Sequence, residues 1–234
     1  PDTVTSTAPT EPAGVTADIT PLALNVTGAT AANKTYDALL GTTVSGGAIS
    51  ALAGDTVTLV VSGRAGAFAD RHVGTGKSVT VSGYTLSGAD AGNYAIVQPT
   101  GVTADITALA LNVTSATATN KVYDALLGAT ISGGAISILS GDTVTLVSSG
   151  RTGVFADKNV GNGKAITVSG YTLTGTDAGN YALVQPTGVT ADITPLSLSV
   201  TGVTAANKVY DRTVAATLSG GAVAPISGDT VTLD

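Results

Sequence analysis

The sequence predicts an all-β protein made of tandem antiparallel β-sandwich domains that follow one another in an elongated rod. Three observations support this prediction. Val, Leu, Ile and Thr dominate the composition, which favours strands, and 30 Gly residues punctuate them. Short stretches alternate apolar and polar residues with the period of two that strands require. The whole pattern recurs after 87 residues without an insertion or a deletion.

The strands of one copy can be followed along the chain. The first is "LALNVT", in which Leu22, Leu24 and Val26 alternate with small or polar residues. The next is "DTVTLVV", where Val57 and Leu59 alternate with threonines. Three further stretches continue the pattern and end the copy: "KSVTVSGYTL", "NYAIVQ" and "GVTADIT".

Gly-rich turn signals separate these strands. We predict turns at six places because Gly, Pro, Asp and Asn adopt the backbone conformations that turns need. They are "SGG" at 45–47, "AGD" at 53–55, "SGR" at 62–64, "GTGK" at 74–77, "SGADAGN" at 87–93 and "QPTG" at 98–101. Only "GADAGN" is expected to form a helical turn.

Six to eight short strands in 87 residues indicate an immunoglobulin-like sandwich. A β-grasp-like domain with one short helix is the alternative. The predicted boundaries are 1–19 for the end of a preceding repeat, 20–106 and 107–193 for two complete repeats, and 194–234 for a truncated third. The complete repeats differ at 19 of their 87 positions. We expect the piece to come from a longer array, whose neighbouring repeats are its first partners.

The junctions between repeats read "VTADITPLALNV" and "VTADITALALNV", with no Gly/Ser or Pro-rich linker. The last strand of one copy therefore runs almost directly into the first strand of the next. We expect such a junction to restrict bending, which is the reason for predicting a rod.

Composition excludes several functions. The net charge of −6 comes without a basic stripe, which argues against nucleic-acid binding, and no apolar run approaches the ~18 residues of a membrane span. The chain has no Cys, one His (His72) and one Glu (Glu11). His72 becomes Asn159 in the second copy. We therefore expect no catalytic residue, no cofactor and no enzyme activity.

Calcium is the one metal that the composition leaves open. Carboxylate and amide oxygens in predicted loops are the ligands that Ca²⁺ prefers, although the dense acidic spacing of known calcium loops is missing. The aspartates of the junctions, Asp18, Asp105 and Asp192, could also serve, or all could simply cap turns. The weak loop candidates are Asp70, Asp90, Asn93, Asp157, Asp177 and Asn180.

A Lys-x-Tyr-Asp sequence recurs in all three copies. Because the whole frame repeats with it, we interpret it as structural: the tyrosine anchors the domain and the lysine pairs with the aspartate. An isopeptide bond from Lys34 to Asn93, or from Lys121 to Asn180, is the alternative, with Asp37 or Asp124 handling the proton. The residues are Lys34, Tyr36, Asp37, Lys121, Tyr123, Asp124, Lys208, Tyr210 and Asp211.

The motifs "NKVYD", "SGDTVTL" and "GVFADKNVGNGKAITVSGYTLTGTDAGNYAL" resemble the YDG-type repeat of bacterial surface proteins, which often stands beside related MBG repeats. The third letter of that name is Ala38, Ala125 or Arg212 here, so the family's flexible Gly is absent. Such repeats are common in filamentous-haemagglutinin-like adhesins exported by two-partner secretion. The resemblance implies a secreted stalk at the bacterial surface or in biofilm matrix.

The leading prediction is therefore a structural stalk or fibre segment of an exported adhesin. A second is a multivalent module that binds carbohydrate, such as surface or matrix glycans, or other copies of itself. A third is a filament subunit, in which strand edges at the two ends of the chain pair between molecules.

Overall fold

The computed structural model describes Gly14 and residues 16–234, and the protein is all-β as predicted. The only helical elements in this part of the chain are two 3-10 turns, Ala91–Asn93 and Ala178–Asn180. They lie in the stretch for which the sequence predicted a helical turn. The chain divides into two compact units, Pro1–Thr107 and Ala108–Asp234, and each is described by itself.

The first unit contains eleven described strands. They are β1 (Leu22–Asn25), β2 (Thr27–Ala31), β3 (Lys34–Thr35), β4 (Gly41–Thr42), β5 (Val44–Ala48), β6 (Thr58–Val60), β7 (Ala65–Phe68), β8 (Gly74–Ser82), β9 (Thr85–Ser87), β10 (Tyr94–Val97) and β11 (Thr103–Thr107).

The second unit repeats these strands and adds a hairpin from the third copy. The strands are β12 (Leu109–Asn112), β13 (Thr114–Ala118), β14 (Lys121–Val122), β15 (Gly128–Ala129), β16 (Ile131–Ala135), β17 (Thr145–Val147), β18 (Thr152–Phe155), β19 (Gly161–Ser169), β20 (Thr172–Thr174), β21 (Tyr181–Val184), β22 (Thr190–Thr194), β23 (Thr201–Ala205) and β24 (Leu218–Ala222).

A five-stranded barrel-like sheet is the largest sheet of each complete copy. Its order is β3-β11-β8-β7-β4 in the first unit and β14-β22-β19-β18-β15 in the second. The two edge strands, β3 and β4 or β14 and β15, are consecutive in the sequence. One short loop therefore connects the two edges of the same sheet.

The sheets are mixed, not purely antiparallel as expected. β1 pairs in parallel with β10, placing Leu22 beside Tyr94, and β3 pairs in parallel with β11. The second unit has the same two parallel pairs in the same register. Parallel pairing requires a long connection between the partners, and here each partner follows about 70 residues later.

The apolar core lies on the inner side of these strands. In the second unit its largest members are Ile131, Phe155, Ile166, Tyr171 and Ile193. The predicted alternation in "LALNVT" is correct for Leu24 and Val26, which are buried, but Leu22 is 49% exposed.

Two predicted turns are in fact parts of strands. "SGG" at 45–47 lies inside β5, where Gly46 and Gly47 have φ of 70° and 102° while Gly46 still pairs with Ala29 of β2. "GTGK" at 74–77 begins β8, next to an irregularity in its register with β11. The glycines there serve bulges, not chain reversals. Turns are found at the predicted "AGD", "SGR" and "SGADAGN" stretches.

The third copy forms only one hairpin in the described chain. β23 and β24 pair Thr201 with Ala222, the register in which β2 and β5 pair Thr27 with Ala48. The anchor position of this copy is Tyr210, which is 86% exposed, whereas Tyr36 is 2% exposed. The hairpin therefore forms without the sheet that buries this tyrosine in a complete copy.

Candidate functional site: the Lys-x-Tyr-Asp loop and the repeat junction

The lysine of the repeated motif joins the two edges of the five-stranded sheet. The Lys34 ammonium donates hydrogen bonds to Asp37 Oδ1 at 2.6 Å, to the Leu39 carbonyl at 2.6 Å and to the Gly41 carbonyl at 3.1 Å. Lys34 belongs to β3 and Gly41 to β4. The three hydrogens of one ammonium thus hold both edge strands and the loop between them.

The second copy repeats this arrangement almost without change. Lys121 donates to Asp124 Oδ1 at 2.6 Å, to the Leu126 carbonyl at 2.6 Å and to the Gly128 carbonyl at 3.2 Å. The ammonium also lies 5.4 Å from the centroid of the Phe155 ring, a distance at which cation–π attraction operates. We call the loop from this lysine to the glycine of the next strand, 34–41 or 121–128, the lysine loop.

The aspartate and the residue after it shape the lysine loop. Asp124 Oδ1 also accepts a hydrogen bond from the Leu126 N–H at 2.9 Å, which closes a tight Asx turn. Ala125, between them, has φ of 62°, and the equivalent Ala38 has φ of 64°. This left-handed backbone suits glycine, the residue that gives the YDG-type repeat its third letter.

The charges of the lysine loop are paired. The hydrogen bond from Lys121, helped by the Leu126 N–H, holds the pKa of the Asp124 carboxyl below its usual value. For Asp37, burial raises the pKa, but the bonds from Lys34 and the Leu39 N–H outweigh it and the pKa is lowered. Both carboxylates are therefore ionised well below neutral pH and act as acceptors.

The asparagine and tyrosine of the motif bind the last strand of the copy. Asn33 Oδ1 accepts from the Asp105 N–H at 2.7 Å, and the Tyr36 N–H donates to the Thr107 carbonyl at 2.8 Å. Asn120 and Tyr123 do the same with Asp192 and Thr194. The motif thus joins the two edge strands and the final strand of the sheet, which gives a structural reason for its presence in each complete copy.

The structure does not bring the lysine to the asparagine proposed for a cross-link. All the hydrogen bonds of the Lys34 ammonium go to Asp37, Leu39 and Gly41, and Asn93 lies on the exposed 3-10 turn. The described part of the chain therefore shows the ion-pair alternative at this lysine.

The calcium candidates occupy separate turns. Asp70 Oδ1 accepts from Lys77 Nζ at 2.7 Å and from the His72 N–H at 2.9 Å, and the bond from Lys77 lowers its pKa. Asp90 Oδ2 accepts from the Thr56 N–H at 2.8 Å. Their second-copy equivalents keep these bonds: Asp157 with Lys164 and Asn159, and Asp177 with Thr143.

The remaining metal candidates do not join them. Asn93 and Asn180 end the two 3-10 turns, and Asp105 and Asp192 accept from the N–H groups of Gly76 and Gly163. Asp18 is exposed. Within residues 14 and 16–234, no three His, Asp or Glu side chains converge as metal ligands.

A further tyrosine in each complete copy binds a distant strand. Tyr84 packs on Gly47 of β5 and donates to the Gly46 carbonyl at 2.9 Å, and Tyr171 donates to Gly133 at 2.8 Å. The sequence predicted an anchoring tyrosine in the Lys-x-Tyr-Asp motif, but it did not connect Tyr84 or Tyr171 with the "SGG" stretch. That stretch looked like a turn because nothing local shows that a ring needs the space.

The junction of the second and third copies lies inside the second unit. Tyr123 Oη donates to Asp229 Oδ1 at 2.9 Å, and Lys158 Nζ lies 3.4 Å from the same oxygen. The neighbouring Tyr123, and then Asp229, raise the pKa of Lys158. The repeated tyrosine of one copy therefore binds a loop of the next copy here.

Comparison with known proteins agrees with this repeat structure. A family model described as the YDG domain matches residues 20–102 and again residues 107–189. The chain belongs to the YDG domain family. Neither the search of curated proteins nor that of solved structures returned a significant match. None of the helices in the described part of the YDG chain has the length and apolar character needed to cross a bilayer.

Proposed function

We propose that this chain is a structural segment of an exported bacterial adhesin or biofilm-matrix protein, in which tandem YDG domains supply length without catalysis. The observation that carries the proposal is repetition at atomic detail. Both complete copies have the same strand order, strand registers and lysine-loop hydrogen bonds. Copies that are this similar suit a spacer because each one adds the same increment of length.

The rod is part of this proposal, as is the immunoglobulin-like description of each sandwich. The sequence supports the rod, because the junction "VTADITALALNV" contains no Gly/Ser or Pro-rich linker. Resemblance to repeats of two-partner-secretion adhesins supports export to the cell surface, and the lack of Cys suits that route.

Small-angle X-ray scattering tests the rod. Chains with one, two and four complete repeats should have maximum dimensions that increase in proportion to repeat number. A matched control inserts ten Gly/Ser residues after Thr107, which should broaden the distance distribution. The prediction of a rod is wrong if the maximum dimension grows only as expected for flexibly jointed domains, or if the insertion leaves the distance distribution unchanged.

Surface labelling tests export. Antibodies raised against the two complete repeats should label intact cells that produce the parent protein, and extracellular protease should remove the signal. A cytoplasmic protein labelled in parallel serves as the control for lysis. Signal that appears only after permeabilisation would contradict a surface stalk.

Self-binding is a second candidate, favoured by apolar side chains that both copies expose. Leu39 and Leu40 in the first copy, and Leu126 and Leu127 in the second, are exposed in the lysine loop. Such repeated patches suit weak multivalent contact between chains. Sedimentation velocity should show concentration-dependent association that Leu126→Ser with Leu127→Ser reduces; identical monomeric behaviour of both proteins would remove this candidate.

The carbohydrate-binding alternative lacks such support. An exposed row of aromatic rings would favour it, but the described tyrosines and phenylalanines of the two complete copies are buried or half-buried.

A filament joined by strand pairing has one observation in its favour. Residues 16–20 repeat the "TADIT" sequence of β11 and β22, yet Ile19 is 99% exposed whereas Ile106 and Ile193 are 1% exposed. Light scattering over a range of concentrations should show growing polymers if this segment pairs between molecules. Ile19→Asp should abolish that growth, and a purely monomeric parent chain would overturn the idea.

A further inference from the structure

Two neighbouring residues form a bulge near the start of the long strand β19. The register of β19 with β22 shifts between Gly161 and Lys164. Asn162 and Gly163 therefore lie together opposite one residue, Asp192. Gly163 has φ of 58°, the left-handed conformation that glycine supplies in such bulges. Because a bulge interrupts the ladder of backbone hydrogen bonds, the chain is less constrained here than in the rest of β19.

The N–H group of Gly163 donates to a carboxylate. Its acceptor is Asp192 Oδ1, at 2.7 Å. Asp192 is also held by Asn120, whose Nδ2 donates to Asp192 Oδ2 at 3.2 Å and whose Oδ1 accepts from the Asp192 N–H at 2.8 Å. A carboxylate oxygen is thus fixed where it can take the proton of the Gly163 N–H.

The side chain of Asn162 is exposed and directly precedes this N–H group. Among residues 14 and 16–234, none hydrogen-bonds the Asn162 amide, so the side chain can rotate. A β-carbon on Gly163 would meet nothing within 4 Å, so the Gly163 nitrogen has open space around it. The carbonyl carbon of an asparagine side chain reaches the nitrogen of the next residue most easily when that residue is glycine, because no side chain obstructs the approach.

We propose that Asn162 is a self-deamidating site in which Asp192 acts as the base. The Gly163 nitrogen attacks Cγ of Asn162, and its proton passes through Asp192 Oδ1 to the departing side-chain nitrogen. The N–Cγ bond forms, the Cγ–Nδ2 bond breaks and ammonia leaves, so that a succinimide remains. Water then opens the ring at one carbonyl to give aspartate, or at the other to give isoaspartate. The net change is the gain of water and the loss of ammonia, without oxidation or reduction.

The first copy lacks this site although it forms the same bulge. Thr75 has the position of Asn162, and Gly76, with φ of 58°, donates to Asp105 Oδ1 at 2.7 Å. Every other asparagine in the sequence is followed by a residue with a side chain. The two complete copies therefore share a fold but differ in chemical lifetime. This inference is independent of the stalk proposal, because the reaction belongs to the isolated chain.

Deamidation changes the contacts of Asp192. The succinimide nitrogen carries no hydrogen, so Asp192 Oδ1 loses its donor while the ring persists. Hydrolysis then places a second carboxylate in the bulge opposite Asp192, and isoaspartate also lengthens the main chain by one carbon atom. We therefore expect the melting temperature of the chain to fall as the products accumulate.

Peptide mapping tests the site. The folded chain, stored in neutral buffer, should convert the tryptic peptide of residues 159–164 into aspartate and isoaspartate forms, and fragment masses should place the change at Asn162. Digestion in water labelled with heavy oxygen distinguishes conversion that occurs during the digest. The equivalent peptide of the first copy, residues 72–77, is the unreactive control. A folded chain that keeps residues 159–164 unchanged would overturn the proposal.

Variants test the role of Asp192. Asp192→Asn should slow the conversion roughly tenfold or more, because an amide cannot take the proton. Asp105→Asn removes the equivalent carboxylate in the first copy, so it controls for lost stability and should leave the rate unchanged. An Asp192→Asn chain that converts as fast as the parent, or faster, would overturn the assignment of Asp192 as the base.

Asn162→Thr introduces the residue of the first copy and tests the consequence for stability. This variant should show no conversion in residues 159–164 and should keep its melting temperature during storage, whereas that of the parent chain falls. Equal declines in the two proteins would contradict the link between deamidation and stability.

Discussion

Ala125 holds a backbone conformation that alanine disfavours, with φ of 62°. A left-handed conformation costs an L-residue such as alanine about 1–2 kcal/mol, and glycine avoids this cost. Glycine loses more conformational entropy on folding, which cancels about 0.5–1 kcal/mol of that gain. We therefore predict that Ala125→Gly raises the melting temperature by a few degrees. Ala110→Gly, on the exposed face of β12, is the control and should lower it. Thermal unfolding followed by circular dichroism compares the two, and equal effects would contradict the strain argument.

Gly134 is the residue that makes room for Tyr171. A β-carbon at Gly134 would lie 2.6 Å from Cε1 of the Tyr171 ring, and the backbone there has φ of 106°. We predict that Gly134→Ala destabilises the second unit by about 2 kcal/mol or more, through overpacking and backbone strain together. Urea unfolding measures this loss in the free energy of unfolding. Gly179→Ala, with open space around it, should have little effect, and a comparable loss there would rule out the packing explanation.

These residues show what sequence can and cannot predict at this scale. The recurrence of Lys-x-Tyr-Asp indicated a structural role and a lysine–aspartate pair, and the structure places that pair at 2.6 Å. The contacts from Lys121 to the Leu126 and Gly128 carbonyls depend on the path of the loop, which residue types alone do not determine.

At the scale of elements, the lysine loop holds β14 and β15 together. We predict that Lys121→Met destabilises the second unit by about 1–3 kcal/mol, because two edge carbonyls and the Asp124 carboxylate lose a charged donor. Chemical unfolding provides the measurement.

Lys208 offers a matched control for this change. It pairs with Asp211 and the Thr213 carbonyl in the third copy, where no five-stranded sheet is present among the described strands. Lys208→Met should therefore change stability by much less than Lys121→Met. Equal losses would mean that the local pair, and not the joining of two sheet edges, is responsible.

About half of the eleven strands in a copy were predictable, but β2 to β5, β7 and the pairing of the strands were not. Alternation located β1, β8, β10 and β11 because each follows a local period of two. The parallel partner of β3 lies 72 residues further along the chain, and no local pattern encodes such a distance. The antiparallel expectation failed for this reason.

At the scale of the whole molecule, aspartates that pair with lysines make the free energy of unfolding depend on pH. Hydrogen bonds from lysines lower the pKa of Asp70, Asp124, Asp157 and Asp211 from the ordinary value of 3.8. A carboxylate whose folded pKa is depressed contributes stability above the unfolded pKa, and that contribution is lost as pH falls through the folded pKa. Stability should therefore be flat from pH 7 to about 5 and fall below about pH 4.

Melting temperatures measured from pH 7 to pH 2 check this expectation. The Asp124→Asn with Asp157→Asn variant should begin lower at pH 7 and show a shallower decline below pH 4. A parent protein that keeps its melting temperature down to pH 2, or that loses it already at pH 6, would contradict the assignment of these pairs.

The lysine loop also bears on the order of folding. Lys121 and Gly128 are seven residues apart, whereas β14 reaches its sheet partner β22 only across 72 residues. Short loops close orders of magnitude faster than long-range pairings form. The edge strands β14 and β15 can therefore contact each other before β22, β19 and β18 pair between them. Lys121→Met should then slow refolding more than it speeds unfolding in stopped-flow experiments. A variant that mainly speeds unfolding would show that this contact forms only after the transition state for folding.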